Sequence, residues 1–102
     1  MGIQKQYLKT RPICKATFRL TKEEAREAKH VFIVGEFNDW DEFATPMKSL
    51  KNGEFVATLD LKTGRDYQFR YHFDKIAWGN DPQADGYCYS SYGDCENSIL
   101  NI

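Results

Sequence analysis

YQFRYHFD, residues 67–74, is the stretch that decides the fold. Tyr67, Phe69, Tyr71 and Phe73 alternate strictly with Gln68, Arg70, His72 and Asp74. A period of two is what a strand shows when one face is buried and the other is wet. The aromatic face is expected in the core, and the other face is a polar strip ending close to Trp78. Just upstream, residues 54–61 set Phe55, Ala57, Leu59 and Leu61 on one face, followed by a turn at Lys62-Thr63-Gly64. Lys51-Asn52-Gly53 precedes that strand, and Asn-Gly is the strongest short signal for a type I′ hairpin turn. Residues 13–20 form a further alternating strand with Cys14, Ala16, Phe18 and Leu20 inward.

Between these strands lies VFIVGEFNDW, residues 31–40. Val31 to Val34 form a buried β-branched and aromatic run, and Gly35 marks a bulge or a close backbone approach. Phe37 returns to the core, Asn38-Asp39 supplies turn chemistry, and Trp40 follows among acidic neighbours. An indole just past a turn is well placed to offer a flat apolar face to a ligand; the plain alternative is that it plugs one end of the fold. Thr21 and Glu24 form a capping-box pattern opening KEEAREAK, a connector of at most two turns that carries the chain from one sheet to the other. In residues 41–50, Pro46 suggests an edge, and Met47 and Leu50 face inward. Residues 75–97 read as loop, with tyrosines at 87, 89 and 92, and residues 98–102 as a last short strand. Short strands, frequent turns and no long helix predict an antiparallel β-sandwich of about seven strands. Residues 1–10 read as a flexible polar arm and residues 11–102 as one domain.

Fourteen Lys and Arg against fifteen Asp and Glu leave a net charge of -1, with no electrostatic reason to expect nucleic acid or anionic membrane as a partner. No apolar run reaches membrane-spanning length, and the first residues lack a signal-peptide core, so a cytoplasmic, reduced chain is expected. Cys14, Cys88 and Cys95 form no CxxC pair, and neither a metal nor a cofactor is expected. Cys14 reads as a small hydrophobe; Cys88 and Cys95 flank a polar loop that could bring them together, and without a secretion signal they read as idle free thiols. Catalysis is not expected: no carboxylate pair has acid–base spacing, His72 has no nucleophile partner legible in the sequence, and His30, just before a buried strand, reads as a surface residue. The 15% aromatic content suggests that some rings lie on the surface.

VFIVGEFNDW, Pro46-Met47, Gly53-Glu54-Phe55, YQFRYHFD and Trp78-Gly79-Asn80-Asp81-Pro82 occur in an order and spacing that resembles family 48 carbohydrate-binding modules. These include the glycogen-binding domain of the AMP-activated kinase β subunit and the N-terminal domains of glycogen branching and debranching enzymes. The resemblance runs from about residue 17 to residue 102. It implies an immunoglobulin-like, early-set sandwich that binds α-1,4-linked glucan. It further implies that Trp40 and Trp78 stack on glucose rings, while Arg70 and Asn97 hydrogen-bond sugar hydroxyls, Ser98 being the neighbouring candidate for the last role. The Asp-Gly turn usual in such modules is Asp74-Lys75 here, and the approach to Trp78 is one residue longer.

The chemistry is independent of the resemblance. A pyranose offers an apolar C–H face to aromatic planes and an edge of hydroxyls to Arg, Asn and Gln. Each residue also has a plainer reading: Arg70 as a strand residue paired with Glu54 or Asp60, Asn97 as a turn former, Asp81 as a turn and cap residue. The second functional reading is a scaffold of the same fold that docks a glycogen-active enzyme or kinase subunit, with the tyrosine-rich loop on protein.

Overall fold

The computed structural model describes residues 3–74, 77–89 and 96–102. Cys95, Tyr92 and Lys75 lie outside the described residues. The chain forms two antiparallel sheets packed face to face. The first has the order β1 (Gln4–Tyr7), β2 (Ile13–Leu20), β5 (Phe55–Lys62), β4 (Lys48–Ser49). The second runs β3 (Val31–Gly35), β6 (Asp66–Phe73), β9 (Glu96–Asn101), β8 (Gly86–Tyr89), with β7 (Ala77–Gly79) paired to the far end of β6. Among the described residues no helix is long and apolar enough to cross a membrane.

The alternation in residues 67–74 is realised as expected: Tyr67, Phe69, Tyr71 and Phe73 are all buried. Phe69 is edge-on to Phe18 of the facing sheet at 5.2 Å between centroids, and Phe37 reaches the same cluster at 6.3 Å from Phe69. Ile33, Phe55 and Leu100 complete the core, with Leu59 and Ala57 partly buried against it. Cys14 is buried in the inward register of β2. Gly35 marks a close approach: a Cβ there would stand 2.6 Å from the Gln68 carbonyl oxygen and 2.7 Å from the Phe69 Cβ. That is why no larger residue fits where β3 runs into β6.

Three expectations are corrected. Residues 1–10 are not simply a flexible arm, because Gln4–Tyr7 pairs along β2 from Thr17 to Cys14. A polar edge strand needs only a free backbone ladder beside it, which hydrophobic patterning does not reveal. Residues 75–97 are not all loop: β7 and β8 lie there and β9 begins at Glu96, so the described residues form nine strands where about seven were expected. The Asn52-Gly53 turn is not type I′, since Gly53 has a positive φ of 89° but Asn52 does not. The Gly53 amide donates to the Leu50 carbonyl, and the Leu50 amide to that of Glu54, which is a type I turn closed by a glycine bulge. The connector keeps its capping box, with Thr21 and Glu24 exchanging hydrogen bonds of 2.9 and 3.1 Å. It stops after one turn at Arg26 and Glu27, both with positive φ, and delivers the chain to the second sheet.

Replacing Phe69 by Ala removes the ring on which both sheets meet, and should cost about 3–5 kcal/mol in denaturant unfolding. A loss below about 1 kcal/mol would mean that the faces of β6 are reversed.

Candidate carbohydrate-binding groove

The outer face of the second sheet is assembled by register. Arg70 lies opposite Val34, and His72 lies opposite Phe32 on one side and Trp78 on the other. Gln68 faces Ile99, and Asn97 faces Cys88. Cross-strand partners share a face, so this surface carries Val34, Gln68, Arg70, Trp78 and Asn97 side by side. The loop after the 3-10 turn Glu36–Asn38 folds back over it, with Phe43 edge-on to Phe32 at 6.1 Å. The result is an open groove of about 820 Å³. Val34, Gln68, Arg70, Trp78 and Asn97 line it from the sheet, and Glu36, Asp39, Trp40, Asp41, Glu42 and Phe43 line it from the loop.

All four residues singled out from the sequence therefore face one concavity. Ser98, the neighbouring candidate to Asn97, does not: it points inward and its hydroxyl bonds Asn80 Oδ1 and the Asp81 amide. Arg70 does not take the partners its plainer reading named. Glu54 lies on the other sheet with Arg19 at 2.7 Å, and Asp60 stands opposite Lys15. The Arg70 guanidinium instead lies 4.8 Å from the centre of the Trp78 ring. Asn97 is buried; its Nδ2 donates to Gln68 Oε1 at 3.0 Å, while its Oδ1 accepts no hydrogen bond among the described residues.

Residues 21–88 match carbohydrate-binding module 48, the isoamylase N-terminal domain. The chain belongs to that family. The matched span includes Trp40, Arg70 and Trp78 but ends before Asn97. Among curated proteins no sequence matches the chain significantly.

Local chemistry holds the two indoles of this family 48 module in place. Asn38 Oδ1 accepts the Gly35 amide, and its Nδ2 donates to the Ile33 carbonyl and to Thr45 Oγ1, each near 3.0 Å. Asp39 and Trp40 then adopt successive left-handed conformations, φ 56° and 58°, and the Trp40 amide returns to the Gly35 carbonyl. Two such residues in succession are unfavourable for side chains other than glycine. The Asn38 bridge is what over-determines them. Trp78 lies on the His72 imidazole, 4.1 Å between centroids and 14° from parallel. The sequence places His72 on the polar face, and it is there, but that indole buries it. The Trp78 carbonyl also accepts a 3.5 Å contact from Arg26, whose guanidinium lies over Phe73.

Asp81 is a turn and anchor residue, as its Asx-Pro setting suggests. Its Oδ1 accepts the Gln83 amide, and its Oδ2 accepts the Tyr71 hydroxyl at 2.6 Å. Burial, then the Asp81 charge and its hydrogen bond, then Glu24, hold the Tyr71 hydroxyl well above the usual tyrosine range. Sequence reasoning did not select Gln68, Phe43 or His72 for the site. The alternation of residues 68, 70 and 72 carried the signal for two of them, and an aromatic among acids carried it for Phe43.

Two outcomes follow. Asn38→Ala should lower stability by about 1–3 kcal/mol and red-shift tryptophan emission, because three buried or half-buried partners lose their bonds at once. An unchanged spectrum would show that the loop holds itself. Tyr71 keeps its proton in the folded chain and loses it near pH 10 when unfolded, so its stabilisation is complete below about pH 10 and fades above that. Tyr71→Phe should therefore cost about 1.5–3 kcal/mol at pH 7 and flatten the loss of melting temperature between pH 10 and 11, followed by calorimetry.

Proposed function

We propose that this module binds an α-1,4-linked glucan, such as glycogen, starch or a malto-oligosaccharide, in the groove, without catalysing its cleavage. The observation that carries the reading is the convergence of two indoles, a guanidinium and a buried amide acceptor on one open surface. Trp40 and Trp78 stack on the C–H faces of glucose units, and Arg70 and Asn97 with Gln68 bond the hydroxyl edge. A shallow groove contacts few sugar units, so affinity is modest, and an uncharged ligand makes it nearly independent of salt. A second reading is docking of a glycogen-active enzyme or kinase subunit. It is favoured by the edge strand β8, where Tyr87 is 45% and Tyr89 80% exposed.

Titration with maltoheptaose, followed by tryptophan fluorescence, tests both. Trp40→Ala and Trp78→Ala, each shown to be folded, should each lose about 1–3 kcal/mol of binding, the scale of a ring stacked on a nucleic-acid base. No binding by the folded wild type at millimolar sugar would leave the docking reading. Undiminished binding by both variants would move the site elsewhere.

A further inference from the structure

The loop side of the groove carries Glu36, Asp39, Asp41 and Glu42, and among the described residues the sheet side carries one charged residue, Arg70. Among the described residues that line the groove, carboxylates therefore outnumber guanidinium groups four to one. Glu36 is engaged by the Gln68 amide at 2.8 Å and approached by Arg65 at 3.9 Å, and Asp41 caps the Phe43 amide at 2.9 Å. Asp39 and Glu42 are exposed beside Trp40. On the floor, Asn97 is 4% exposed, and its Oδ1 has no donor among the described residues. That oxygen calls for a ligand with a proton to give. A sugar hydroxyl supplies one.

Resting on the glucan reading above, we propose that the groove selects uncharged glucan chains over phosphate-esterified ones, and that Asp39 and Glu42 enforce the choice. Neutral hydroxyls meet the acidic rim as hydrogen-bond donors. A phosphate ester brings two negative charges toward carboxylates that are already unbalanced, and a repulsive element of this kind discriminates without adding affinity for the favoured ligand. Arg70, whose guanidinium lies 4.8 Å from the centre of the Trp78 ring, offsets part of this.

The test is calorimetric titration of the full chain with maltoheptaose and with singly phosphorylated maltoheptaose, at about 20 mM and about 500 mM NaCl. The wild type should bind the phosphate ester about tenfold more weakly at low salt, with the gap narrowing at high salt. The double variant Asp39→Asn, Glu42→Gln should narrow it at low salt, the ratio of the two affinities within each protein being the readout. Asn tolerates the left-handed backbone of position 39 as well as Asp does, so the loop keeps its course. Equal or tighter binding of the ester by the wild type would overturn the proposal, as would a ratio the double variant leaves unchanged. If neither sugar binds the folded protein, the glucan reading itself fails and this one with it; binding of maltoheptaose without discrimination removes only the selectivity.

Discussion

The edge-on contact between Phe18 and Phe69 locks the two sheets together at the middle of β6. Because side chains alternate across a strand, fixing Phe69 inward fixes Gln68 and Arg70 outward. A one-residue slip would exchange the aromatic face for the polar one and remove both core and groove together. The groove floor is thus the reverse side of the core. Gly35 tightens the coupling, since only its missing side chain lets the Trp40 loop leave β3 so close to the backbone of β6.

What was legible in the sequence followed from local period and local turn chemistry. Residues 67–74 announced both faces of β6, and Asn38-Asp39 announced a turn that would carry Trp40 out of the core. The strand at Gln4–Tyr7 was not legible, because its backbone pairing depends on β2 lying beside it and QKQY has no apolar face of its own. The Asn-Gly turn was located but mistyped: loop length selects the turn, and here three residues close it where the dipeptide suggested two. The company of Trp78 was hidden for a related reason. His72 and Trp78 are six residues apart with a turn between them, and only the pairing of β7 with β6 makes them neighbours.

The site combines unequal kinds of support. Trp40 rests on a loop of two left-handed residues held by a single asparagine side chain. Trp78 rests on a strand pair, backed by an imidazole and tethered through its carbonyl to Arg26 in the connector between the sheets. Changes in the connector, far along the chain from either motif, therefore bear on one indole and leave the other alone. The Tyr71–Asp81 bond plays the same part for the turn that follows Trp78, tying it to the buried face of β6.

The stack of His72 beneath Trp78 has a thermodynamic meaning as well as a geometric one. Freezing a large side chain costs rotamer freedom, and the cost falls on whichever event first immobilises it. Here one face of the indole is already occupied when the chain has folded, so the ring is stiff before any ligand arrives. The entropy of ordering Trp78 is charged to folding, and the stability of the empty module and the tightness of its grip are set at the same residue pair.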